Sequence, residues 1–205
     1  MSENLRRYYP HTLALVFLVF FIALGLHPVD RRVWIAEVTP VVIIFFLLAG
    51  TFRHFRFSNA SYTLMSIWMF WHTVGAHYTF AHVPFDFVTD LFGFERNHFD
   101  RVGHFVVGFY AFAVAELSIR KRWAVPFWGM PSGIFFIGTV AATYEIIEWI
   151  YAVIDGGEAG VEFLGSQGDI WDAQKDMLAD LLGALFSTAL YGAIRPDRSV
   201  TNALR

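Results

Sequence analysis

Four aspartates near the C-terminal end of the chain follow one another at helical spacing. Asp169, Asp172, Asp176 and Asp180 are separated by three, four and four residues. Residues three or four apart lie on the same face of a helix, so these carboxylates are expected to form one stripe. Ionised carboxylates repel each other in a low dielectric, and protons, a cation or a basic group must offset the stripe.

Two further pairs of polar residues repeat this spacing in apolar surroundings. Asp100 and His104 are four residues apart, and Glu145 and Glu148 are three apart. The nearest basic candidates, His104 and Arg101, leave an excess of carboxylates. One divalent metal ion, held by an imidazole and several oxygens, would neutralise the excess and activate a water molecule. Carboxylates that share protons, as a general acid or a proton relay, fit equally well.

The enzyme hypothesis assigns each of these residues a role. The candidate catalytic residues are His104, Glu145 and Asp176. The residues expected to contact the substrate or to support the catalytic ones are Asp100, Arg101, Glu148, Asp172 and Asp180. The candidate ligands of a divalent metal ion are His104, Glu145, Glu148, Asp176 and Asp180.

The composition places these residues in a membrane. Of 205 residues, 56% are hydrophobic and only 16% are charged, and the chain holds 23 Phe and 7 Trp. Soluble domains have about 25% charged residues. A secreted scaffold, a nucleic-acid binder and a disordered regulator are excluded. The sequence has 0 Cys, which also excludes disulfides, thiolate metal sites and thiol nucleophiles.

Six apolar segments are long enough to cross a bilayer, and they predict a single all-α domain, a six-helix membrane bundle over residues 1–205. The predicted spans are residues 12–28, 33–52, 61–81, 101–119, 131–154 and 174–195. The first loosely imitates a signal peptide, but a second span follows at once, so we expect it to stay uncleaved. The longer connections are residues 82–100 and 155–173.

The basic residues predict the orientation of the bundle. With a cytoplasmic N-terminus, 10 of the 15 Lys and Arg residues lie inside, including the Arg120-Lys121-Arg122 cluster. We therefore expect a bacterial inner-membrane protein with both termini in the cytoplasm and both acidic loops outside. Most of the intramembrane acids then lie in the outer half of the bundle.

Other intramembrane polar residues have simpler explanations. Glu116 precedes Arg120 by four residues, which favours a local ion pair. We expect His72 and His77 to be hydrogen-bonded inside the bundle and Glu37 to serve packing or an interface. For the residues of spans four to six, a structural hydrogen-bond network remains the alternative to a functional site.

The sequence resembles two known families. Over nearly its whole length the chain resembles the YjdF family of bacterial inner-membrane proteins, which has no established activity. Residues 100–183 more distantly resemble a VanZ-like pattern, in the segments Asp100-Arg101-Val102-Gly103-His104-Phe105, Glu145-Ile146-Ile147-Glu148 and Asp176-Met177-Leu178-Ala179-Asp180-Leu181-Leu182-Gly183. Glu148 and Asp180 stand where that pattern has Gln and Asn, and both departures add negative charge. The VanZ-like resemblance implies the cell envelope and a shared polar site, without a settled reaction.

Three classes of function remain open at this point. The first is metal-assisted or acid–base chemistry on an envelope or lipid-linked substrate, in a site facing the outer leaflet between spans four, five and six. The second is a proton- or cation-coupled transporter, and the third is a non-catalytic protein that binds a lipid or a partner. The lipid bilayer is the expected partner and nucleic acid is not. The oligomeric state and the presence of a metal are left open.

Overall fold

The computed structural model describes residues 3–155, 157, 160 and 164–198, and these ranges contain helices and no strand. The all-helical prediction is confirmed. The helices are α1 (Glu3–Gly25), α2 (Arg31–Thr51), α3 (Asn59–Tyr78), α4 (Asp86–Phe92), α5 (Phe99–Val107), α6 (Tyr110–Arg120), α7 (Pro126–Asp155) and α8 (Asp172–Ile194). The short helix α4 lies within the connection predicted as a loop over residues 82–100.

Five segments are long and apolar enough to cross a membrane, which makes the chain a multi-pass membrane protein. They are Arg7–Gly25, Arg31–Thr51, Phe99–Arg120, Pro126–Ile154 and Asp172–Ile194. Helix α3, which corresponds to the predicted span 61–81, is not among them. It carries polar side chains such as Ser61, His72 and Thr73, and these are buried against other helices. A sixth span therefore stays a prediction.

Successive long segments run in opposite directions. At one end the backbone N–H of Val29 donates to the carbonyl of His77, 2.9 Å away. At the other end Arg120 donates to the carbonyl of Arg56, also at 2.9 Å. We call the first the polar end, because α2, α5 and α8 begin there, and the second the basic end, because it holds Arg53, Arg56 and Arg120.

Helices α5 and α6 form the centre of the bundle. In the most apolar part of Phe99–Arg120, 56% of the residues are buried, against 11% in α1. The other long helices carry many exposed large apolar side chains, including Leu15, Phe46 and Phe136. An apolar surface of this kind suits contact with lipid, so the outer helices face the bilayer and enclose α5 and α6.

The central helix is interrupted where it crosses α8. A Cβ atom at Gly183 would overlap the carbonyl oxygen of Phe105, and one at Gly108 would overlap the backbone of α8. The hydroxyl of Ser187 donates to the carbonyl of Gly108, 2.9 Å away. A backbone group freed in the hydrocarbon region needs such a partner. The two glycines thus let α5 and α8 approach within backbone contact.

The residues after α8 are held by an ion pair. Asp197 is fully buried and accepts hydrogen bonds from Arg195 and from the hydroxyl of Tyr191, at 2.8 and 2.9 Å. Burial opposes ionisation of this carboxyl, but the hydrogen bonds from Arg195 and Tyr191 outweigh it, so the pKa of Asp197 is lowered. The ionised form therefore stabilises the folded protein.

We expect the stability conferred by Asp197 to disappear in acid. A depressed pKa in the folded state stabilises the protein above the unfolded pKa of about 3.9, and this contribution is lost as the pH falls through the folded pKa. The difference in unfolding free energy between the wild type and Asp197→Asn should be constant above about pH 5 and shrink below about pH 4. Denaturant titrations in detergent across this range measure it. A difference independent of pH would contradict the assignment.

Candidate polar site

His104 lies between two carboxylates at the polar end. Its Nδ1 atom is 3.1 Å from Asp180 Oδ2, and its Nε2 atom is 3.7 Å from Asp100 Oδ1. When Asp180 is ionised and the ring is neutral, Nδ1–H donates to Asp180, because an ionised carboxylate only accepts. Helix α5 supplies His104 and Asp100 one turn apart, and the α5–α8 crossing brings Asp180 opposite them. In the resulting tautomer the lone pair of Nε2 points away from Asp180.

Two arginines cover the carboxylates nearest the membrane surface. Arg96 and Arg101 each place a guanidinium nitrogen 2.5 Å from Asp172 Oδ1. Arg101 Nε also lies 2.5 Å from Asp176 Oδ1, although the N–H direction does not make this contact a hydrogen bond. Arg101 is the basic partner that the sequence predicts, and Arg96, on the loop before α5, is a second one. The cluster joins the segment before α5 to the start of α8.

Asp169 extends this cluster outside the spans. Lys175 donates to its carboxylate at 2.7 Å, and the backbone N–H of Trp171 donates at 3.1 Å. These hydrogen bonds lower the pKa of Asp169, and the one from Lys175 has the largest effect. The outermost member of the aspartate stripe is therefore held ionised by local partners.

Three of the clustered side chains can surround one cation. One donor atom each from Asp100, His104 and Asp176 lies within 4.8 Å of the others. Ligand atoms bound at about 2.0 to 2.2 Å to one ion are at most about 4.4 Å apart, so a small side-chain movement suffices. Asp180 would act as the carboxylate that orients a ligating histidine through its other nitrogen.

Several carboxylate oxygens at this site have no hydrogen-bond partner. Among the described residues these buried atoms include Asp180 Oδ1 and Glu145 Oε1; Asp176 Oδ1 accepts no hydrogen bond either, although it lies 2.5 Å from Arg101 Nε. A buried polar atom without a partner costs about 1 to 3 kcal/mol. The arrangement therefore has unused capacity to accept a proton, a water molecule or a cation.

A cavity of about 110 Å³ opens beside His104. Asp100, His104, Glu148 and Asp180 line one part of it. Apolar side chains, including those of Ile44, Val107 and Val140, also line it. A group that enters this space therefore meets both carboxylates with an imidazole and hydrocarbon side chains.

A second polar cluster, made of Glu37, His72 and Tyr144, lines the same cavity. His72 Nε2 donates to the carbonyl of Glu37 at 2.9 Å and lies 3.4 Å from its carboxylate. The hydroxyl of Tyr144 donates to that carboxylate at 3.3 Å. His72 is hydrogen-bonded inside the bundle, as the sequence predicts. The prediction that Glu37 serves packing missed that this cluster shares a cavity with His104. The position of Tyr144, four residues before Glu148, was the available signal.

The structure assembles most, but not all, of the predicted site. His104, Asp100, Arg101, Asp172, Asp176 and Asp180 lie in one cluster, and Glu148 lines the adjoining cavity. Asp100, which was not a predicted ligand, belongs to the group that can hold a cation. Among the described residues that group does not include the predicted ligands Glu145, Glu148 and Asp180. The loop acids Glu158 and Glu162 lie outside the described residues.

Comparison with known proteins identifies a family for this chain but names no reaction. The profile of the family described as "Predicted membrane protein (DUF2238)" matches residues 9–198. The inner membrane protein YjdF of Escherichia coli (strain K12) is 37% identical over 191 residues, which cover 90% of this chain and 90% of that protein. No solved structure matches the chain. These matches leave the VanZ-like resemblance as a prediction.

Proposed function

Since the chain belongs to the DUF2238 family and is similar over 90% of its length to an inner-membrane protein, we propose that it is a metal-assisted enzyme of the cell envelope. Its substrate is an envelope lipid or a lipid-linked compound. The bundle has six spans with both termini in the cytoplasm, and the polar end faces the outer leaflet. This orientation rests on the distribution of Lys and Arg.

One observation carries the proposal. The Nε2 atom of His104 faces Asp100 while Nδ1 is engaged by Asp180. Histidines that bind metals commonly donate their second nitrogen to a carboxylate in this way, which fixes the tautomer and raises the basicity of the ligating nitrogen. Asp100 and Asp176 supply the oxygen ligands, and Arg101 holds the carboxylate of Asp176 in place.

The cavity supplies the other requirements of a reaction. A bound divalent ion polarises an ester or phosphoryl oxygen and lowers the pKa of a bound water molecule. Glu148, also in the cavity wall, would accept a proton from the attacking water and return it to the leaving oxygen as the ester or phosphoryl bond breaks. The side chains of Ile44, Val107 and Val140 exclude bulk water and contact the hydrocarbon part of the substrate.

Metal analysis tests the proposal directly. We expect about one divalent ion per chain in protein purified in mild detergent without chelators. His104→Gln and Asp176→Asn should lose the ion, because each removes a ligand, while keeping the size of the side chain. Asp180→Asn should retain it with about 10- to 100-fold lower affinity, because the partner that orients His104 is weakened.

Asp86→Asn is the matched control, because Asp86 is an exposed acid on α4 at the same end of the bundle. It should bind metal as the wild type does. Folded wild-type protein that takes up no divalent ion from a metal-supplemented buffer would overturn the metal hypothesis and favour carboxylates that share protons.

A further inference from the structure

A second cavity lies between α1, α2 and α3, toward the basic end of the bundle. It has a volume of about 270 Å³ and is lined mainly by apolar side chains, among them Leu13, Leu48 and Met65. The ring pairs Phe17–Phe45 and His11–Phe52 bound it along the helix direction, with centroids 5.8 and 5.0 Å apart. The small side chains of Ala14 and Ala49 leave room between α1 and α2.

Basic side chains surround the end of the cavity near Phe52. The guanidinium of Arg56 lies 5.6 Å from the centre of the Phe52 ring. Arg7 and Arg53 are exposed, and each lies within a few residues of a lining side chain, Pro10 and Phe52 respectively. The acids that the structure describes at this end, Glu116 and Asp197, are buried and paired with arginines. The surface around the opening therefore carries a net positive charge.

We propose that this cavity binds an anionic phospholipid, with one acyl chain in the cavity and the phosphate against Arg53 and Arg7. An apolar cavity of about 150 Å³ is enough to bind benzene, so the space here accommodates a segment of hydrocarbon chain. Basic pockets between transmembrane helices bind the head groups of anionic lipids. The ligand class follows from this combination of an apolar space and a cationic opening. The site is separate from the one around His104, and its lipid is a bound partner, not the substrate.

Native mass spectrometry of the detergent-solubilised protein tests the proposal with two probes, phosphatidylglycerol and phosphatidylcholine with the same acyl chains. We expect one phosphatidylglycerol to be retained per chain, at least about fivefold more tightly than phosphatidylcholine. Arg53→Gln should weaken the retention of phosphatidylglycerol about fivefold and leave that of phosphatidylcholine unchanged. Arg32→Gln is the matched control, because Arg32 is an exposed arginine near the other end of α2.

A second variant tests the apolar part of the site. Ala14→Leu combined with Ala49→Leu fills the space between α1 and α2 and should abolish the retention of both lipids. Equal retention of the two lipids by the wild type would contradict a head-group site at Arg53. Equal effects of Arg53→Gln and Arg32→Gln would contradict it as well. Unchanged lipid retention in the double leucine variant would show that the acyl chain of the lipid does not occupy this cavity.

Discussion

Replacing Glu116 with alanine is expected to destabilise the protein by about 3 kcal/mol or more, because several donors, each costing about 1 to 3 kcal/mol when buried and unpaired, lose their acceptor. Glu116 is fully buried at the basic end of α6. Its carboxylate accepts hydrogen bonds from the backbone and hydroxyl of Ser58, at 2.8 and 2.7 Å. It also accepts from the hydroxyl of Ser61 and from Arg120. The substitution leaves four donors without their acceptor, including the guanidinium.

This side chain also sets the start of a helix. Ser58 is the N-terminal cap of α3, and Glu116 holds both its backbone N–H and its hydroxyl. Glu116→Ala should therefore loosen the attachment of α3 to α6, whereas Glu116→Gln, which keeps the volume and part of the bonding, should lose less stability. Unfolding by sodium dodecyl sulfate in mixed micelles measures both. Glu95→Ala, at an exposed acid, is the control. Equal midpoints for Glu116→Ala and this control would contradict the structural role.

Two glycines of α8 should respond in opposite directions to the same substitution. Gly183→Ala places a methyl group on the carbonyl of Phe105, and neither backbone can move without separating α5 from α8. Such overpacking costs about 1 to 3 kcal/mol, and occasionally more. Gly192→Ala meets no atom within 4 Å and should stabilise the helix by about 0.5 to 1 kcal/mol.

The Gly183→Ala and Gly192→Ala variants should also differ in metal binding at the polar site. The α5–α8 crossing sets the 3.1 Å distance between His104 and Asp180, so Gly183→Ala should also weaken metal retention. Gly192→Ala should leave retention unchanged. Unfolding midpoints and metal content, measured on the same two preparations, test both points. If the two variants behaved alike, the crossing would not determine the site geometry.

Helical periodicity predicted which residues form the centre of the polar cluster, but not where the cluster ends. The spacing of Asp100 and His104, and of Asp172, Asp176 and Asp180, placed each set on one face of a helix, and the structure brings the two faces together. Glu145 and Glu148 share a helix, but only Glu148 lines the cavity, while a buried oxygen of Glu145 has no hydrogen-bond partner. Spacing alone does not give the rotation of α7 against its neighbours.

The contribution of α2 and α3 was not predictable in the same way. Glu37 and His72 are 35 residues apart, and only the packing of α2 on α3 brings them together. Pro40, which has no N–H to donate, interrupts the hydrogen bonding of α2 next to the carbonyl that accepts from His72. Likewise, the break between α5 and α6 was not expected, because residues 101–119 look like one uninterrupted apolar helix. Contacts between helices, rather than local propensity, determine these features.

The contacts of His104 and Arg101 with α8 affect the order in which the protein can be made. They join residues 76 and 71 positions apart, and α8 follows α5 and α7 in the chain. During synthesis, α5 and α7 leave the ribosome before Asp172, Asp176 and Asp180 exist. Until α8 inserts, the polar face of α5 therefore lies in the membrane without the carboxylates of α8 that pair with His104 and Arg101. Assembly of the site is consequently a late step of biogenesis, and a nascent chain that stalls before α8 has a bundle but no site.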